Sequence, residues 1–255
     1  MLTEEQRERV CVVLVRARNP NNIGAVARAM HGFGFADLRL VNEYSVAIDK
    51  ARSAVDASAI LAGAREFVNL EDAVAGCELV VGTTAVGERK QEHPLYSLAE
   101  AGGLLHAELA SPPRGRTARV ALLFGSEKTG LSNEALSHCH WLMTIPMHRN
   151  PDLRHASMNL GQAAAVCLYE LIRQADAPPL SKPRPGADAE DLERLTKLLE
   201  QVLGCIGYAR RRPASADRTE VRRMVRRMGL NQSDARRWIG ILRQLLWKLG
   251  QKPPR

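Results

Sequence analysis

Between residues 11 and about 174, short runs of Val and Leu recur with little polar alternation: CVVLV, DLRLVN, ELVVGTTA, VALLFG and WLMTIP. A strand that faces solvent on one side alternates apolar and polar residues. Runs without that alternation are expected where both faces of a parallel sheet are covered. Between the runs lie amphipathic stretches such as NIGAVARAMHGFG, AVDASAILAGA, YSLAEAGGLLHAEL and SNEALSHC. The succession predicts an α/β domain over residues 1–174, a parallel sheet with helices on both faces.

The pattern then changes. Residues 175–187, ADAPPLSKPRPGA, hold four prolines and no hydrophobic period, which predicts a stiff linker. Residues 188–255 are expected to form a small all-helical extension. Leu192, Leu195, Leu199 and Val202 make one stripe. Asp217 with Glu220 resembles a capping box opening a helix with Val221, Met224, Val225 and Met228 inside. Gly229 closes that helix, and Ser233 precedes another with Trp238, Ile241, Leu242, Leu245 and Leu249 on one face. In this arrangement Arg222, Arg223, Arg226 and Arg227 point to solvent.

Charge divides along the same boundary. Residues 205–255 hold 14 Lys and Arg against 3 Asp and Glu, whereas residues 1–204 hold 22 against 25. A near-neutral body with a basic appendage fits a polyanionic partner, since clustered cations displace counterions condensed on phosphates; a solvated charged helix face is the other reading. The five cysteines are odd in number, scattered and never in a CxxC pair, which argues against a disulfide framework or a zinc ribbon and fits a reducing cytoplasm. No apolar run approaches the roughly 20 residues that span a bilayer, so no membrane partner is expected.

Each candidate site follows a strand, where open α/β sheets bind ligands. The first is RARNPNNIGAVARAM, residues 16–30, with Asn21 or Asn22 as a helix cap, Gly24 permitting close backbone approach, and Arg28 one turn in. An anion site and an ordinary capped helix both satisfy it. The second, LLFGSEKTGLS at 122–132, carries Gly125 and Gly130 but lacks the lysine of GxxxxGK[ST] and is not GxGxxG. It suits backbone packed against a flat ligand. The third, TIPMHRNPDLRHASMNLGQAAAV at 144–166, brings Ser157 and Asn159 to the mouth of an apolar helix; VVGTTA, with Gly82, Thr83 and Thr84, has the same form. SHCH with His148 and His155 lacks a zinc spacing, so no metal is expected, and without a GxSxG elbow Ser157 is no hydrolase nucleophile.

In this order the segments resemble the TrmH branch of the SPOUT RNA methyltransferases. NPNNIGAVARAM is similar to that family's first motif, LLFGSEKTGLSNEAL to its second, and IPM with SMNLGQAAAV to its third. DLERLTKLLEQVLGCIGYA and the basic helices after it resemble the extension of the TrmJ type. The stretch between Ile145 and Ser157 is longer than is usual there. The resemblance implies a deep α/β knot, a homodimer, S-adenosylmethionine as cofactor, and 2′-O-methylation of a ribose in tRNA, at nucleotide 32 of the anticodon loop. Methylation of ribosomal RNA or of another tRNA position, and a catalytically idle RNA-binding homologue, are the alternatives. Thr83, Thr84, Ala85, Gly125, Ile145, Ala156, Ser157 and Met158 would line the cofactor pocket. Asn22, Gly24, Glu127, Gly130 and Asn159 would support it, Arg28 falls on the catalytic arginine, and Arg222, Arg223, Arg226 and Arg227 would meet RNA. The extension is expected to be separable, so that its deletion weakens tRNA binding and leaves cofactor binding intact.

Overall fold

A computed structural model describes residues 2–43, 56–85, 93–110, 119–147, 158–173, 186–211 and 214–250. The expected alternation of strand and helix is present. In chain order the elements are α1 (Glu4–Glu8), β1 (Val10–Val15), α2 (Pro20–Phe33), β2 (Asp37–Val41), α3 (Ser58–Ala62), β3 (Arg65–Phe67), α4 (Leu70–Val74) and β4 (Cys77–Thr83). They continue with β5 (Leu95–Ser97), α5 (Leu98–Ala110), β6 (Arg119–Phe124), α6 (Asn133–Ser137), β7 (Trp141–Thr144) and α7 (Leu160–Ile172). The extension comprises α8 (Ala189–Cys205), α9 (Tyr208–Arg211), a 3-10 turn at Ala214–Ala216, α10 (Arg218–Arg227) and α11 (Gln232–Lys248).

All strand pairs are parallel, in the order β3-β2-β1-β6-β4-β7-β5. The six residues of β1 are all buried, which explains the missing alternation. Val10, Val12 and Leu14 join the core under α2, α5 and α7, while Cys11, Val13 and Val15 join the core under α4 and α6. Successive side chains thus serve opposite layers, as the two-residue period of a strand requires. β3 and β5, at the sheet's two edges, escape the sequence reading because each is only three residues long.

Two helix starts differ from expectation. α2 is capped by Asn19, whose side chain accepts the Asn21 N–H, and Pro20 takes the first turn. Proline is favoured there because it has no N–H to leave unpaired. Arg28 therefore lies eight residues beyond Pro20, about 12 Å along the axis rather than one turn in. α11 begins after Asn231, which caps Asp234, not after Ser233.

The extension has its own core, with Leu192, Leu195, Leu198 and Val202 of α8 against Val225 of α10 and Ala235, Ile239, Leu242 and Leu246 of α11. α11 therefore turns a different face inward than expected, leaving Trp238, Ile241, Leu245 and Leu249 exposed. In α10 the correction is larger. Arg222, Arg223 and Arg226 are buried, Arg227 is exposed, and Met224 and Met228 lie at the surface. The face differs because α10 is packed on two sides, against α8 and against α6 of the α/β domain, and a carboxylate on α8 pairs with the arginines. Lys197 also pairs with Glu71 of α4, and Ala189 joins the core beneath α4 and α6. Of the proline-rich stretch only residues 186–187 are described; Ala187 is buried and its N–H donates to Leu230 O at 2.6 Å.

Candidate active site

β1, β6, β4 and β7 are consecutive neighbours in a parallel sheet, so the turns that follow them leave from one edge. Polar side chains join those turns directly. Asn22, in the first turn of α2, donates through Nδ2 to Glu127 Oε1 at 2.9 Å. Asn159 donates through Nδ2 to Asn22 Oδ1 at 3.2 Å while its own Oδ1 accepts the Gly161 N–H at 2.9 Å and caps α7. One amide thus links the first segment to the second and the third, over 105 and 137 positions of chain.

The turn after β6 is tightly closed. Gly130 N–H donates to Ser126 O at 2.9 Å, and the Ser126 and Thr129 hydroxyls are 2.8 Å apart. A Cβ on Gly125 would stand 2.0 Å from the Gly130 carbonyl carbon and 2.1 Å from Leu131 N. Gly130 has φ +67, the left-handed region glycine enters without strain. Beside it, Thr83 donates through its hydroxyl to Leu123 O at 2.9 Å, and the Thr84 N–H donates to Met143 O at 3.0 Å, tying β4 to both neighbours. Ala85 follows immediately. Ile145 is partly buried on the core and Met158 is half-buried before α7. Ala156, Ser157, His148 and His155 lie outside the described residues.

These groups fit S-adenosylmethionine. Thr144 Oγ1, at the end of β7, is buried and has no partner among the described residues, and no Cβ-sized neighbour lies within 4 Å at Gly130. Glycine and alanine backbone with two apolar side chains suits a flat base. Sequence reading passed over Thr144, which looks like any strand threonine. It also passed over Gly161, where a Cβ would meet Ala25 Cβ at 2.5 Å. Gly24, for which close backbone approach was expected, is buried in α2. Arg28 is exposed, on the outer side of α2.

His138, Cys139 and His140 go to three different places. His138 Nδ1 lies 3.9 Å from Glu193 Oε2, Cys139 Sγ would be 2.8 Å from a Cβ on Gly82, and His140 Nδ1 accepts the Val80 N–H at 3.0 Å. Burial, reinforced by Arg222 at His138 and by Arg226 at His140, holds both imidazoles down to about 3. An unfolded histidine takes its proton near pH 6.5. Between pH 6.5 and 3 the unfolded chain therefore binds protons that the folded chain refuses, and stability falls as pH falls through that window. The expected loss from pH 7 to pH 5 is a few kcal/mol, at about 1.36 per unit for each histidine. Urea midpoints at the two pH values measure it. His138→Gln should flatten the dependence, and a parent midpoint equal at both would refute the argument.

The chain matches the SpoU rRNA methylase family over residues 9–169. It is 34% identical over 250 residues to the tRNA (cytidine/uridine-2′-O-)-methyltransferase TrmJ of Sodalis glossinidius, covering 95% of this chain and 92% of that one. The protein of the same name from Klebsiella pneumoniae is 33% identical, over 96% and 98% of the two chains. Among solved structures, TrmJ from Z. mobilis ZM4 superposes with a TM-score of 0.76 at 29% identity, covering 92% of this chain and 98% of that one.

Proposed function

The chain belongs to the SpoU rRNA methylase family, and on that premise we propose that it methylates the 2′-oxygen of a cytidine or uridine ribose in tRNA, at nucleotide 32 of the anticodon loop. The observation that carries this reading is the Asn159–Asn22–Glu127 chain, which gathers three distant segments at one sheet edge. The tRNA assignment draws on the relatives that match through the extension as well as the catalytic domain.

S-adenosylmethionine supplies a methyl group on a sulfonium. Thr83, Thr84, Ala85, Gly125, Ile145 and Met158, with Ala156 and Ser157, hold it in this reading, while Asn22 and Glu127 keep the first and second turns in register. To accept the methyl group, with S-adenosylhomocysteine as the leaving group, the ribose 2′-oxygen would have to face the sulfonium and give up its proton. Arg28 is a poor base, because a guanidinium keeps its proton under ordinary conditions and has no lone pair to offer. Its role is that of a fixed cation that orients phosphate and stabilises charge growing on the 2′-oxygen. The proton goes to an RNA phosphate, to water, to Glu127 or to His155.

We also assign the family's knot; the position of β7 between β4 and β5 in the sheet supports it. We assign a homodimer as well. Phe33, Ala163 and Val166 are only half-buried at the margin of the core, Tyr169 is exposed with its ring 6.3 Å from that of Phe33, and a second copy would cover them. The basic extension meets RNA through its exposed cations, which of Arg222, Arg223, Arg226 and Arg227 leaves Arg227. The test is methyl transfer from S-adenosylmethionine to tRNA transcripts with C or U at nucleotide 32, and to a transcript already 2′-O-methylated there. The first two should be modified and the third should not. Arg28→Ala should lower kcat about 100-fold or more with cofactor affinity unchanged, and Arg28→Lys should retain most of the activity. A lysine variant as inactive as the alanine variant would show that the planar guanidinium itself is required.

A further inference from the structure

α10 is the helix of the extension that packs on α6 of the α/β domain, and two consecutive arginines reach out of it to that short helix. Arg222 is fully buried. Its Nε and Nη2 donate to the two Glu193 carboxylate oxygens at 2.9 and 3.0 Å, and its Nη1 donates to Ser137 Oγ, the last residue of α6, at 3.1 Å. The Ser137 hydroxyl in turn donates to Glu134 O at 2.6 Å, so it accepts from the extension while closing its own helix turn. Arg223 takes the other end. Its Nη2 donates to Asn133 O, the first residue of α6, at 3.4 Å, and its Nη1 to Glu220 at 2.6 Å.

A helix of five residues has too few internal hydrogen bonds to hold itself, so what grips its ends decides where it stands. α6 is also the direct continuation of the turn after β6. Ser132 caps it by accepting the Ala135 N–H, and the buried Leu131 is 3.3 Å from where a Gly82 Cβ would be, under the carboxyl end of β4. A displacement of α6 is therefore passed within a few residues to Gly125–Gly130 and to β4.

We propose that Arg222 and Arg223 are positioning residues for the methyl-donor site: they hold the two ends of α6, and α6 holds the Gly125–Leu131 turn against β4 in the shape the cofactor requires. The proposal rests on the reading that this turn faces S-adenosylmethionine. It makes the extension part of the cofactor site's support as well as an RNA contact. The two functions are then not separable, contrary to the expectation drawn from the proline-rich linker and the charge division.

The experiment is calorimetric titration of the full chain, without RNA, by S-adenosylmethionine and by S-adenosylhomocysteine, alongside thermal midpoints. Ser137→Ala leaves the Glu193–Arg222 pair intact and removes its link to α6, together with the turn bond that the Ser137 hydroxyl makes to Glu134 O. It should weaken cofactor binding several-fold at temperatures well below its own thermal midpoint, where the variant is still folded and a purely structural role would leave binding unchanged. Arg223→Met should act similarly from the other end. Arg222→Met should weaken binding about tenfold or more, as expected for losing hydrogen bonds to a charged group. Arg222→Lys should fall between, since one ammonium cannot span both Glu193 and Ser137. If Arg222→Met does not fold, Ser137→Ala and Arg223→Met carry the test alone. A parent that binds cofactor beside two such variants that bind it within twofold overturns the proposal by itself. A parent that does not bind overturns the enzymatic reading and this proposal with it.

Discussion

Gly125→Ala is expected to abolish methyl transfer, reducing it by at least about 100-fold, and to remove measurable cofactor binding. The added methyl would stand 2.0 Å from the Gly130 carbonyl carbon, 2.1 Å from Leu131 N and 2.4 Å from Gly130 O. These are backbone atoms, so no rotamer change relieves the overlap. The turn must open, and opening it breaks the Gly130–Ser126 hydrogen bond at 2.9 Å and moves Glu127 away from Asn22. The variant is also expected to lose on the order of 1 to 3 kcal/mol of stability, the usual range for overpacking a filled site. Gly103→Ala is the control. It lies exposed in α5 with nothing within 4 Å of its would-be Cβ, and alanine there should stabilise the helix by roughly 0.5 to 1 kcal/mol with activity unchanged. The comparison reads out as methyl incorporation and urea midpoint for the two variants side by side. Wild-type activity in Gly125→Ala would mean that the turn closed around the glycine is not the catalytic conformation.

The contrast between those two glycines shows where the sequence could be read and where it could not. Both stand in ordinary surroundings, GSEK and AGGLL, and only folding reveals that one abuts backbone while the other faces open space. The sheet was legible because burial on both faces leaves a one-dimensional trace: β1 has no polar residue to spare. The strand-end turns were legible for the same reason, as the polar remainder between apolar runs. Their meeting was not, because the Asn22–Glu127 and Asn159–Asn22 bonds depend on a strand order that places β6 beside β1. The resemblance to a known family supplied that convergence in advance. It could not supply the fate of Arg222, Arg223 and Arg226. A helical wheel with four arginines reads as a solvated face, since arginine is almost never fully buried unless paired. The partner that makes burial possible is Glu193, nearly thirty positions away on another helix. Met224 and Met228 are exposed as the direct consequence, each 42% accessible, because the side of α10 they share cannot face inward once the arginines do.

Glu193→Ala is the second substitution with a large expected effect, and its mechanism is electrostatic. Burial alone would raise this carboxyl, but the hydrogen bonds and charge of Arg222, with the charge of Arg226, bring it down to about 2. Arg222 and Arg226 are both buried, and Arg226 has Nε and Nη1 without a hydrogen-bond partner among the described residues, so Glu193 is the anion that both rely on. Removing one member of a buried pair leaves uncompensated charge and costs about 3 to 5 kcal/mol. Against a total stability of about 5 to 15 kcal/mol this brings the fold near its limit, with an expected fall in thermal midpoint of about 10 °C. The double variant Glu193→Leu with Arg222→Met should recover much of that loss, because exchanging both ions for apolar groups of similar size is commonly close to neutral. It should not recover cofactor affinity, since Ser137 has then lost the donor that holds α6 from the extension. Unfolding midpoints and cofactor titrations on the single and double variants separate the two effects. A double variant restored in both would mean that Arg222 serves only to neutralise Glu193, and a double variant restored in neither would mean that Arg226 alone suffices to leave the interior uncompensated.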